Sequence, residues 1–172
     1  NLGRSTNTGS GYDFEELDGD FIPIPGATAP EFGEQRSIQG QQHIRPGELH
    51  PPYNTIPPTS GWHYDKPHAP VPWGIYSDTI PDEVQVHNLE HGGILIQYDC
   101  PDGCDLLLEE LKNVVNKYST HAILAPYQGM ETRITLTAWG WIDAMQEFDE
   151  DRVINFIDSH FDLGPERVPY GN

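Results

Sequence analysis

The tightest cluster of chemistry-bearing residues in the chain is His87-Asn88-Leu89-Glu90-His91-Gly92-Gly93. Two imidazoles four positions apart share a face if the segment makes a turn of helix, and their neutral nitrogens ligate Zn, Cu or Ni. Upstream, Pro57-Pro58-Thr59-Ser60-Gly61-Trp62-His63-Tyr64 carries a third histidine on a turn-rich loop, where a side chain can be aimed at a partner. His63, His87 and His91 are therefore the candidate ligands of a transition metal, copper or zinc. The competing reading needs no metal: His87 and His91 bond loop backbone, and His63 packs beside Trp62. Spacing alone leaves both open.

The string His87-x-x-Glu90-His91 also matches the inverzincin pattern, in which two histidines hold zinc and the glutamate acts as general base. Gly92-Gly93 and a β-branched run follow at once, so the expectation is one helical turn at most, too little to hold ligands and base in fixed relation. A zinc hydrolase is thus the minor alternative, and Glu90 is expected to bond nearby backbone or side chains. Met130 is a loop methionine better read as a gap filler than as a copper ligand. Asp18-Gly19-Asp20 and Asp149-Glu150-Asp151 lack the ligand spacing of a calcium loop. His43, His50, His68, His121 and His160 have no partner at ligand spacing. Nucleophile elbows, phosphate-cradling loops and dinucleotide fingerprints are missing from the sequence.

The elements that must position these residues begin late in the chain. Twelve of the 16 prolines lie at or before Pro81, and residues 1–60 hold no sustained period of 2 or 3.6. Residues 1–50 read as a long extended, proline-rich arm and residues 51–172 as the globular domain. Val84-Gln85-Val86 and Ile94-Leu95-Ile96-Gln97-Tyr98 read as paired strands flanking the histidine motif. Leu107, Leu111, Val114, Val115 and Tyr118 fall on one helical face across 105–118. His121 to Leu124 and Arg133 to Ile142 read as two further strands, the second rich in Thr, Ile and Trp. Asp149-Glu150-Asp151 opens a last helix with an acidic first turn, its core side carrying Val153, Ile154, Ile157 and Phe161. The order strand, strand, helix, strand, strand, helix predicts an α+β fold: a small mixed or antiparallel sheet with two helices on one face.

Composition bounds the partners. The 172 residues carry nine Lys and Arg against 27 Asp and Glu, a formal charge of −18. That field repels phosphate-rich partners, which excludes nucleic acid, and it disfavours an anionic membrane surface. No apolar run approaches the roughly 20 residues of a membrane span. Cys100 and Cys104 bracket a Pro-Asp-Gly turn and are expected to form a small disulfide rather than half of a zinc site, because no second cysteine pair exists. With the acidity and a first residue, Asn1, that is not Met, this favours a secreted, extracellular protein.

Four motifs carry a family resemblance: Pro-Pro-Thr-Ser-Gly-x-His-Tyr at 57–64, Trp-Gly-x-Tyr at 73–76, His-Asn-Leu-Glu-His-Gly-Gly at 87–93 and Thr-Ala-Trp-Gly at 137–140. In these, and across roughly residues 40 to 169, the chain resembles the bacterial family called domain of unknown function 3105. The resemblance implies a secreted or membrane-tethered protein with no settled enzymatic role. It also implies that the positions of His63, His87 and His91 are shared within the family, which strengthens the metal reading. The Cys100–Cys104 loop and the acidic arm depart from the family pattern.

The arm suggests a function of its own. Phe21-Ile22-Pro23-Ile24-Pro25 is its most apolar stretch and suits a sheet edge or a groove of another copy. Head-to-tail docking through Phe21, Ile22 and Ile24 would build an open filament. The sequence thus predicts an extracellular structural protein that self-assembles with copies of itself through its arm, with divalent cations aiding the interfaces, and carries a three-histidine metal site. A monomeric metal-binding module is the first alternative, and the hydrolase is the second.

Overall fold

A computed structural model describes residues 32–167. Phe21, Ile22 and Ile24 lie outside them. The fold is α+β, built on a six-stranded mixed sheet in the order β1-β8-β7-β5-β6-β4. Its strands are β1 (Glu34–Gln35), β4 (Gly74–Ile75), β5 (Ile94–Tyr98), β6 (Ala122–Pro126), β7 (Ile134–Ala138) and β8 (Trp141–Met145). The helices are α1 (Asp82–Glu90), α2 (Asp105–Val115) and α3 (Glu150–His160). A second, two-stranded parallel sheet pairs β2 (His43–Ile44) with β3 (His63–Tyr64). Strands β1 and β2 fall within the stretch whose proline content suggested an arm.

The two long amphipathic helices lie where their periodicity places them. Leu107, Leu111, Val114 and Val115 of α2, with Val153, Phe156 and Ile157 of α3, pack against Ile94, Ile96, Ala122, Leu124, Ile134 and Leu136 on one face of the sheet. Asp149 caps α3, its carboxylate accepting from the backbone N–H of Arg152 at 3.0 Å. The Arg152 guanidinium in turn donates to Asp143 of β8 through two nitrogens. Cys100 and Cys104 form the expected disulfide, which encloses a turn closed by Gly103 N–H on the Cys100 carbonyl at 3.0 Å.

Two expected strands are something else. Val84-Gln85-Val86 belongs to helix α1, not to a strand pairing with β5. Pro81 starts this helix with its fixed φ of −56°, and Asp82 and Glu83 favour the positive end of the dipole. Every residue from Val84 to Glu90 is buried, so the helix shows no polar stripe, and a short apolar run of that kind cannot be told from a strand by period. Arg133 to Ile142 is likewise not one strand. Ala138 pairs with Trp141 across a turn at Trp139-Gly140, with Gly140 at φ 73°, giving the β7–β8 hairpin. Trp139 and Trp141 are both half-buried and pack against opposite faces of the sheet.

The second face is covered by α1 and the segment before it. Val84 and Leu89 join Ala69 and Ile80 against Leu95, Ile123 and Ala125, with Tyr64, Val71 and Trp73 at the margin. This side carries the histidines of α1 and β3, His87 and His63. Among the described residues no helix is long and apolar enough to cross a membrane.

Candidate metal centre

Three elements bring the site together. Helix α1 runs nine residues, longer than the single turn expected before Gly92, and places His87 and Glu90 in its last turns with His91 as its C-cap. Strand β3 carries His63 beside the helix, and parallel pairing sets His43 of β2 abreast of His63. The buried turn Thr59-Ser60-Gly61 that leads into β3 is tied to the preceding segment by Gly61 N–H on the Gly40 carbonyl at 3.1 Å. Asn88 fastens the proline-rich loop over α1: its Nδ2 donates to the Val71 carbonyl at 2.8 Å and its Oδ1 accepts from Val71 N–H at 3.0 Å.

The imidazoles are oriented by main chain. His63 Nδ1 donates to the Gly61 carbonyl at 2.8 Å, and His87 Nδ1 donates to the Tyr64 carbonyl at 2.6 Å. Each bond fixes the ring so that Nε2 faces inward, the arrangement in which a backbone carbonyl holds a ligating histidine in its metal-binding tautomer. His63 Nε2 meets Glu90 Oε2 at 2.9 Å, and His87 Nε2 lies 3.1 Å from His91 Nε2. His43 completes the ring: its Nε2 is 3.8 Å from Glu90 Oε2, and its imidazole stacks on His87 at 5.5 Å between centroids. Ligand atoms of His43, His63, His87 and Glu90 all lie within 4.8 Å of one another. In a tetrahedral zinc site with bonds of about 2.0–2.1 Å, ligand atoms stand about 3.3–3.4 Å apart.

The charges follow from this geometry. Both nitrogens of His63 face acceptors, which only a doubly protonated ring, or a cation in place of the Nε2 proton, can satisfy. Burial pushes the His63 pKa down, but the bonds to Glu90 and the Gly61 carbonyl and the nearby carboxylates outweigh it and the net shift is upward. Burial likewise opposes the charge of Glu90, yet the hydrogen bond from His63 and the potential of the surrounding histidines hold its carboxyl below the usual range. His87 and His91 are shifted down, chiefly by burial. Both shifts favour the neutral, metal-ligating form of the ring.

Beside this set lies a second one. Glu90, His91 and Glu166 also place ligand atoms within 4.8 Å of one another, with His91 Nε2 3.7 Å from Glu166 Oε2. The segment after α3 is clamped to the end of α1: Asp162 N–H donates to the Gly92 carbonyl and Glu166 N–H to the Glu90 carbonyl, both at 3.0 Å. Glycine is required on both sides of that clamp. A Cβ on Gly92 would sit 2.7 Å from Asp162 Cα, and one on Gly164 would sit 2.1 Å from the Glu90 carbonyl oxygen.

Of the three histidines singled out by spacing, His63 and His87 share one group and His91 falls in the neighbouring one. His43 and Glu166 were missed. His43 has a partner set after all, supplied by strand pairing between residues 20 apart rather than by local spacing, and Glu166 arrives through the clamp. The signal that could have found His43 is slight: His43-Ile44 and His63-Tyr64 are both histidine followed by a bulky residue. The glutamate of the His-x-x-Glu-His string bonds His63, a nearby side chain of the kind expected.

No curated protein and no solved structure matches the chain. The family described as "Protein of unknown function (DUF3105)" matches residues 49–169, which include His63, His87, Glu90, His91 and Glu166 but not His43. That match spans most of the chain and all of the helix that carries the site, and the protein belongs to this family.

Proposed function

We propose that the domain is a metal-binding module that takes a divalent transition ion, zinc or copper, through His43, His63, His87 and Glu90. The single observation that carries this reading is the pair of Nδ1-to-carbonyl bonds on His63 and His87, which commits both inward Nε2 atoms to one carboxylate-bearing spot. Three imidazoles and one carboxylate are a good donor set for Zn²⁺ or Cu²⁺. Side-chain exposure of 0% for His63 and 4% for Glu90 leaves His43, at 44%, as the flank open to solvent. A site so enclosed, with Glu90 bonded to His63, favours holding an ion over hydrolysing a substrate on it. The Cys100–Cys104 disulfide supports an oxidising, extracellular setting. Self-assembly through Phe21, Ile22 and Ile24 remains a proposal about residues outside those described, tested by comparing the mass of the full chain with that of a chain lacking residues 1–31.

The test of the metal reading is elemental analysis of the full chain after loading with Zn²⁺ or Cu²⁺ and desalting. Wild type should retain metal and gain thermal stability. An ion at 100 times its Kd stabilises by about 2.7 kcal/mol. His63→Ala and His87→Ala should retain none at that inner site. Equal metal content in wild type and His63→Ala/His87→Ala would sink the reading, and hydrolysis lost in Glu90→Gln would promote the enzyme alternative.

A further inference from the structure

Resting on that reading, we infer that the centre is dinuclear: a second divalent ion sits between His91 and Glu166, and Glu90 bridges it to the ion held by His43, His63 and His87. Glu90 belongs to both ligand groups, so its two carboxylate oxygens can serve one ion each. His91 is buried, its residue only 5% exposed, and its Nε2 faces Glu166. It stands 3.7 Å from Glu166 Oε2, too far for a hydrogen bond and close to the spacing of two ligands on one ion. It is also 3.1 Å from His87 Nε2. His87 already donates through Nδ1 to the Tyr64 carbonyl, so its Nε2 and that of His91 converge as two ligand atoms on one spot, and an ion beside each replaces that contact.

Glu166 is the second observation. An exposed carboxylate near a histidine is ordinary, but this one is delivered by main chain. The Glu166 N–H is bonded to the Glu90 carbonyl, Asp162 N–H to that of Gly92, and Gly164 packs so close to Glu90 that any Cβ would collide. The clamp brings a residue 76 positions away in sequence to the mouth of the site without any side-chain bond needing to form. The two positions differ in kind. The inner group has four protein ligands, as closed sites do, whereas the outer group has three, one of them at a half-exposed side chain, which leaves a coordination position facing solvent. The outer ion is the exchangeable one.

The experiment is stoichiometry on the full chain with Zn²⁺ alone, backed by electron paramagnetic resonance with Cu²⁺ alone. At saturation two ions per chain are expected, with a spin-coupled Cu²⁺ signal. Glu166→Gln changes an exposed residue and should leave the fold intact, dropping the count to one and converting the copper signal to that of an isolated ion. His91→Ala should do the same, and Glu90→Gln should weaken both ions at once. One ion per chain in wild type, whether or not Glu166→Gln loosens it, overturns the second site and leaves the single-ion reading standing. No ion at all overturns both, so the two failures are distinguishable.

Discussion

The two faces of the sheet are covered in opposite ways. Under α2 and α3 the layer is apolar: Leu111, Val153, Phe156 and Ile157 are fully buried against Ile94, Ile96 and Leu136. Under α1 the layer is mixed, with Gln85, His87, Asn88 and Glu90 as deeply buried as Val86 and Leu89. Each of those polar groups has a partner. Gln85 donates to the Ile80 carbonyl at 2.5 Å and accepts from Gln97 at 2.7 Å, while Asn88 makes its pair of bonds to Val71. Burying such groups costs free energy that apolar residues of similar size would not cost. One face is arranged for stability, and the other buries a polar network at stability's expense.

The contrast can be broken by substitution. Phe156→Ala should be the most damaging single change, at about 3–5 kcal/mol, because it empties a filled apolar site. Urea unfolding measures it, and metal uptake by the folded fraction should persist. Glu90→Gln should do the reverse, weakening uptake of both ions while costing the metal-free protein only about 1–3 kcal/mol, since His63 can shed its proton when its partner loses charge. If Glu90→Gln destabilised as much as Phe156→Ala, the division of labour between the faces would be wrong. Asn88→Ala should lie near the lower end of that range, about 1–2 kcal/mol, by leaving two main-chain groups of Val71 unbonded. Its mark should be faster amide exchange across the loop at Val71.

The smallest effect is in pH. On the apolar face, burial shifts His160 below its ordinary 6.5 despite its bond to the Phe32 carbonyl. The folded protein then binds fewer protons than the unfolded chain, so this contribution is complete above about pH 6.5 and is lost as pH falls below it. On the site face His63 is shifted up, so its contribution is present below 6.5 and is lost as pH rises through its folded value. Unfolding free energies of the metal-free protein between pH 5 and 8 should therefore flatten at the acid end in His160→Gln, whereas His63→Gln should lose stability mainly in acid. The downward-shifted His87 and His91 oppose His63 and shrink the net slope of that face.

The same division explains what could be read from the sequence. Helices α2 and α3 were legible because each buries one stripe and wets the other: Leu107, Leu111, Val114 and Val115 stand apart from the exposed Glu109 and Glu110. Helix α1 was illegible because it is wrapped on all sides and its Val84-Gln85-Val86 mimics a strand. The hairpin turn was hidden because Trp139-Gly140 lacks the usual asparagine or aspartate before glycine. Within the centre, His87, Glu90 and His91 could be read because a helix makes near residues meet. His43 depends on a two-residue parallel pairing and Glu166 on a backbone clamp, and neither leaves a periodic trace.

The pairing of His43 with His63 also has a mechanical side. Strands β1 and β2 hold the first described segment to the rest by two residues each, an attachment that tension applied ahead of Phe32 would peel open one hydrogen bond at a time. An ion shared by His43, His63, His87 and Glu90 would rivet that segment to α1, so the load would pass to metal–ligand bonds and into the body of the sheet. Whatever lies before residue 32 would then pull on a joint whose strength depends on the supply of metal, and single-molecule stretching with and without Zn²⁺ would read that as a change in the force at which the segment detaches.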